Sequence, residues 1–155
     1  LFYSLFFTIL FLGIMVQILF LPEKILFTTN SILVYTGYMS ATIGIIICTK
    51  SLKEISMPSF LGLSEGRIIS DKLISKGIYS LIRHPLYLGM LLIFLGYLLV
   101  SASVGSFIHL LCLIIYLPIG IYFEERNLIK KYGEGYKNYA KQVPAIFPFK
   151  TKKER

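Results

Sequence analysis

The sequence predicts an all-α, polytopic membrane protein with about four transmembrane helices and a cytoplasmic cap built from a central loop and a C-terminal helix. Three observations carry this reading. First, 55% hydrophobic residues and a mean hydropathy of +0.72 are too apolar for a water-soluble domain of 155 residues. Second, four apolar stretches alternate with short polar or proline-containing breaks. Third, the basic residues are lopsided. Of sixteen Lys and Arg, only Lys24 falls in the 22–31 connection and none in the Ser101–Ser103 turn; the other fifteen lie in Lys50–Arg83 or after Glu124. The positive-inside rule places those two segments, and with them the N-terminus, in the cytoplasm.

The elements follow in order. Leu1–Leu21 is long enough to span a bilayer, and Pro22-Glu23-Lys24 stops it. It has no basic leader and no A-x-A cleavage site, so it is expected to be a retained helix. Ile32–Thr49 is entered through Thr28-Thr29-Asn30-Ser31, and its Gly37, Ala41 and Gly44 suit close helix packing. Lys50–Ile82 is polar, with a Met57-Pro58 break, and reads as an ordered loop with little regular structure. The third span starts at Pro85, where a missing amide proton is harmless, and runs to about Val100. The fourth is Val104–Phe123, with Pro118 as the expected kink. Glu124–Tyr132 should continue that helix into water as far as Gly133. Gly135–Gln142 makes a short amphipathic helix ended by Val143-Pro144, and Lys150–Arg155 is expected to fray. The whole, 1–155, reads as one domain: an N-terminal hairpin at 1–49 and a site-bearing part at 50–155.

A net charge of +8 invites a nucleic-acid reading, but the basic residues flank membrane spans and no soluble basic module exists, so no nucleic-acid partner is expected. Cys48 and Cys112 lie inside apolar runs without metal spacing and read as buried thiols; no metal is expected.

The chemistry concentrates around the hairpin of the third and fourth spans. Arg83-His84-Pro85 opens one helix and Glu124-Glu125 closes the next. All of these groups are expensive near lipid, and a hairpin brings them to one membrane face. Cationic and acidic groups meeting there, among Tyr79, Tyr87, Tyr132, Tyr136 and Tyr139, suit a small zwitterionic cofactor.

Three pieces also resemble a known family: Leu73-Ile74-Ser75-Lys76-Gly77-Ile78-Tyr79; Arg83-His84-Pro85-Leu86-Tyr87-Leu88-Gly89; and Glu124-Glu125 through Tyr132-Gly133-Glu134-Gly135-Tyr136-Lys137-Asn138-Tyr139 to Val143-Pro144. In this order, across about half of the chain, they are similar to isoprenylcysteine carboxyl methyltransferases and the wider group of small integral-membrane methyltransferases that includes phospholipid methyltransferases. The resemblance implies S-adenosylmethionine as methyl donor. Its contacts, by matching position, would be Leu73, Ile74, Tyr79, His84, Pro85, Leu86, Tyr87 and Glu124, with Arg83 and Glu124 in catalytic roles. A carboxylate and tyrosine faces would meet the donor's ammonium and sulfonium. His84, Arg83 or free amides at the helix start would meet its carboxylate. The acceptor would be lipid-like or prenylated and delivered from the membrane, with the cofactor site on the cytoplasmic face (of the plasma membrane in a prokaryote).

The chain departs from the pattern in two places. The prenylcysteine enzymes carry an arginine four residues before the first matched glutamate, thought to meet the acceptor carboxylate; here that residue is Gly120. Asp71-Lys72 stands where His-Thr is usual. The expected result is weak activity on farnesylated cysteine. Amine methylation of a phospholipid headgroup is one alternative. A nicotinamide-dependent membrane reductase sharing the Arg-His-Pro-x-Tyr turn is another, and a non-catalytic membrane module a third.

The bland readings differ by residue. Arg83 alone reads as a snorkelling anchor and Glu125 as a solvated helix exit pairing with following lysines. His84 and Glu124 read as functional. Tyr132, Tyr136 and Tyr139 at i, i+4, i+7 read as an interfacial aromatic belt, and His109 as a packed histidine.

Overall fold

The computed structural model of the protein describes residues 16, 24–54 and 73–147. Apart from Val16, the first apolar stretch lies outside the described residues, as do Met57-Pro58, Asp71-Lys72 and the Lys150–Arg155 tail. Within them the chain is helical. α1 is Ser31–Glu54, α2 Pro85–Ser101, α3 Val104–Tyr132 and α4 Glu134–Gln142, with a single 3-10 turn at Gly77–Ser80. Among the described residues α1 and α3 are long and apolar enough to cross a membrane; α2 is equally apolar but spans only 17 residues.

The Asn30 side chain caps α1 by accepting a hydrogen bond from the Leu33 amide at 2.9 Å. The helix continues beyond Thr49, where the sequence suggested it would stop. Two features explain the extra turn. Ser51 is fully buried with its hydroxyl 2.7 Å from the Tyr79 hydroxyl, and Lys53 complements the negative end of the helix dipole.

α1 and α2 form the tightest pair, and glycines set their distance. A methyl group on Gly44 would lie 2.6 Å from the Gly89 carbonyl oxygen, and one on Gly96 would lie 2.5 Å from the Gly37 carbonyl oxygen. The pairing of 37 with 96 and of 44 with 89 makes the helices antiparallel, backbone against backbone. Ser40 Oγ donates across the seam to the Leu92 carbonyl at 2.9 Å. Because the obstacle at Gly44 is backbone that cannot rotate away, Gly44→Ala should destabilise the protein by roughly 1–3 kcal/mol. Thermal unfolding in detergent checks this; an unchanged midpoint would show that the helices separate freely.

The turn between α2 and α3 is short. Ala102 adopts a left-handed conformation (φ 46°), and Ser103 and Ser106 form a reciprocal capping box at the start of α3. Residues 24–26 lie across this turn: the Leu26 amide donates to the Ala102 carbonyl at 2.7 Å and the Val104 amide to the Lys24 carbonyl at 2.8 Å. Residues 24–30 and the 101–103 turn therefore share one end of the helices. The C-terminal ends of α1 and α3, the 3-10 turn, the start of α2 and all of α4 share the other.

α3 runs unbroken past Glu124 to Tyr132, as expected, with Pro118 inside it. It ends at Gly133, whose positive φ of 58° turns the chain into α4. That break defeats the reading of Tyr132, Tyr136 and Tyr139 as one helical face. Tyr136 is 1% exposed and lies inward, and Tyr139 donates its hydroxyl proton to the Tyr79 carbonyl at 2.5 Å. His109 is buried as expected, its Nδ1 at 2.8 Å from the Gly105 carbonyl and its ring beside Phe94 and Tyr97.

Candidate functional site

The start of α2 and the polar end of α3 meet in a compact ionic cluster. Arg83 reaches Glu125 at 2.6 Å, His84 Nε2 lies 3.1 Å from the same carboxylate oxygen, and His84 Nδ1 lies 3.5 Å from Glu124. The order of partners differs from the sequence reading. Glu125 is held by Arg83 and His84 instead of facing water beside lysines, and Arg83 is a half-buried ion-pair partner instead of an anchor. Glu124 keeps a 46% exposed side chain, so it has a free side that Glu125 lacks.

His84 itself is almost wholly buried. Burial pulls its pKa down, but hydrogen bonds and charge from Glu124 and then Glu125 outweigh this and leave it raised. With a carboxylate at each ring nitrogen, the imidazolium, which donates from both, is the species the geometry favours. The sign for stability follows. A histidine raised in the folded state contributes fully below its unfolded value of about 6.5, and that contribution is lost as pH rises through the higher native value. Thermal midpoints should therefore fall from about pH 6.5 upward, and His84→Gln should flatten the profile. A wild-type profile that does not fall over that range would show that the ring stays neutral.

The C-terminal segment locks this cluster from behind. The Arg83 amide donates to the Pro144 carbonyl and the His84 amide to the Ala145 carbonyl, each at 2.9 Å. These two amides are thus spent within the protein and are not free donors at the helix start. Tyr136 packs beneath the cluster. Burial, with the charge of Glu125, pushes its phenol up to about 12. Its hydroxyl and Arg83 Nε are buried with no hydrogen-bond partner among the described residues. Buried polar atoms of this kind call for a partner beyond the described residues, and a water or a ligand atom would serve.

The remaining predicted residues divide into two groups. Tyr87 stacks on His84 with ring centroids 5.6 Å apart, and Pro85 is fully buried at the first turn of α2. The Leu86 carbonyl accepts the Cys48 thiol at 3.7 Å. Tyr79 is buried between Ser51 of α1 and Tyr139 of α4. Leu73 lies apart, lining an open groove of about 430 Å³ with Asn138, Tyr139 and Val143 of the C-terminal segment, and Ile74 is exposed.

Two residues of α1 join this end of the molecule without having been anticipated. Ser51 meets Tyr79. Glu54 lies over Gly77, where a methyl group would fall 2.0 Å from its carboxylate oxygen and φ is already +58°. Nothing in the local sequence marks either residue, because both arrive through the α1–α2 packing.

Opposite charges, an imidazole and phenols thus come together at the polar end of an apolar helical hairpin. The chain belongs to the phospholipid methyltransferase family, whose family model matches residues 32–135. Among curated relatives, a methanethiol S-methyltransferase of Crocosphaera subtropica is 37% identical over 75 residues, covering 48% of this chain and 29% of that protein. One of Pseudomonas deceptionensis is 37% identical over 71 residues, 46% of this chain and 26% of that protein. The protein-S-isoprenylcysteine O-methyltransferase of Schizosaccharomyces pombe is 28% identical over 122 residues, 74% of this chain and 51% of that protein. The chain thus spans about half or less of the length of these relatives. No solved structure matches it. The expected likeness to the isoprenylcysteine and phospholipid methyltransferases holds.

Proposed function

We propose that this protein transfers the methyl group of S-adenosylmethionine to a lipid-soluble nucleophile that approaches from the bilayer. The observation that supports this most is the cluster of Arg83, His84, Glu124 and Glu125, in which charge is balanced but hydrogen-bonding capacity is left over. Glu124 has an exposed side, and Arg83 Nε and the Tyr136 hydroxyl lack hydrogen-bond partners among the described residues.

These residues fit the donor's chemistry. When bound, the donor supplies an electrophilic methyl on a sulfonium. Glu124 is the carboxylate available for a cation, and the Tyr87 and Tyr79 rings offer faces for its sulfonium. His84, held as imidazolium by two carboxylates, is the group suited to a donor carboxylate. Arg83 serves mainly to hold Glu125, and through it His84, in place. Leu73, Ile74, Pro85 and Leu86 remain as flanking contacts carried by the resemblance. The chain's contribution to rate is positioning and exclusion of water, since a direct displacement needs no covalent intermediate on the protein.

In this reading the protein is an integral, multi-pass membrane protein with four spans. The ends of α1 and α3, the central loop and α4 form a cap on the cytoplasmic side, as the charge asymmetry requires. The relatives are named for S-methylation of methanethiol and O-methylation of a protein S-isoprenylcysteine. An assay with the donor labelled at its methyl group, purified protein and three acceptors (a short alkanethiol, a farnesylcysteine analogue and a membrane-lipid extract) tests the proposal. Label entering one of the three supports it. No label above the no-enzyme control in any of them overturns it.

A further inference from the structure

We propose that Gly120 and the two tyrosines facing it, Tyr87 and Tyr116, form the acceptor-selecting seam, and that the seam favours a slender, uncharged thiol over a carboxylate. This rests on the methyl-transfer reading above and names its acceptor class.

Gly120 lies four residues before Glu124, so both occupy one face of α3, with Gly120 one turn deeper into the apolar part. A methyl group built at Gly120 would sit 3.3 Å from the Tyr87 hydroxyl and 3.4 Å from the Tyr116 ring. Tyr87 also stacks on His84, so a single side chain links the ionic cluster to the α2–α3 seam beneath it. A donor whose charges are held by the cluster would present its methyl toward this seam.

Chemistry on the seam is neutral throughout. Residues 85–123 contain no Asp, Glu, Lys or Arg, and Arg83 at their edge is already paired with Glu125 at 2.6 Å. A carboxylate entering here would be desolvated without a cation, which is strongly unfavourable. A thiol carries no such penalty. Its sulfur packs well against aromatic rings, and a phenol hydroxyl can donate to the sulfur while the thiol proton is lost. The step balances as follows. The acceptor sulfur forms a bond to the methyl carbon as the donor's sulfonium carbon–sulfur bond breaks, and that electron pair stays on the donor sulfur, which becomes a neutral thioether. The thiol proton leaves to solvent by way of the half-exposed Glu124 carboxylate.

Gly120 variants test this on the full chain in detergent. Wild type should turn over ethanethiol with a kcat/KM at least tenfold above that for N-acetyl-S-farnesylcysteine. Gly120→Leu should raise the KM for ethanethiol tenfold or more, the scale of discrimination set by crowding an apolar pocket. Its kcat, and its affinity for S-adenosylhomocysteine measured by calorimetry, should change at least threefold less than the KM, because the substitution reaches Tyr87 but none of the charged groups of the cluster. Should the leucine variant fail to fold, Gly120→Ala, whose methyl presses only lightly on Tyr87, should still raise KM two- to threefold. An unchanged KM in a folded variant, or a preference for farnesylcysteine in wild type, would overturn the seam while leaving donor binding intact. Failure of wild type to bind S-adenosylhomocysteine would overturn the donor reading itself, and the seam with it.

Discussion

Arg83→Ala is expected to destabilise the folded protein by roughly 2–3 kcal/mol, because removing one member of a largely buried ion pair leaves the other charge without its closest partner. Arg83 and Glu125 side chains are 13% and 25% exposed and lie 2.6 Å apart, so solvent compensates little. His84 remains as a second partner for Glu125, which keeps the loss below that of an isolated buried pair. Glu125→Ala should cost a similar amount. The double variant should lose less than the sum of the two, because the singles remove the same interaction. Chemical denaturation of the four proteins gives the coupling directly. Strict additivity would mean that the two side chains act independently.

His84→Ala and Glu124→Ala are each expected to weaken donor binding about ten- to hundredfold, the equivalent of one charge-assisted hydrogen bond of roughly 1.5–3 kcal/mol. The two variants should differ in stability. His84 is buried between two carboxylates, so its loss also exposes Glu125 to a less balanced environment. Glu124 is half exposed, so its loss should lower the thermal midpoint less than the loss of His84, through a weaker hold on the imidazolium. Glu124→Ala is therefore the cleaner test of the site, since reduced affinity in a protein that remains folded cannot be ascribed to unfolding.

Helices and their order were legible because their signals are local. Asn30, Pro85 and Gly133 mark helix ends through hydrogen-bonding capacity and backbone geometry, and each falls at a boundary of the structure. The meeting of Arg83-His84 with Glu124-Glu125 was legible too, because a three-residue turn between two apolar helices leaves no other arrangement. The pairing inside that cluster was not. Which glutamate takes the arginine depends on the rotation of α3, and a hairpin read from sequence does not fix that angle. The tyrosines of α4 were misread for a similar reason: their spacing is helical, but Gly133 divides them between two helices. Ser51, Glu54 and the carbonyls of Pro144 and Ala145 carry no local mark. They reach the site only because the glycines of α1 and α2 allow close approach and because α4 folds back over the start of α2.

The same contrast bears on the acceptor. Gly120 is informative from sequence as an absence of charge, whereas the structure adds what fills the space, a phenol hydroxyl and an aromatic ring. Those groups are the ground for the proposed preference for a soft, neutral nucleophile.

The measurement that bears most directly on the central claim is equilibrium binding of S-adenosylmethionine to the purified wild-type protein in detergent or bilayer discs, by isothermal titration calorimetry. The proposed site predicts saturable one-to-one binding that Glu124→Ala weakens at least tenfold. Absence of saturable binding by wild-type protein, or binding that Glu124→Ala and His84→Ala leave unchanged, would contradict it.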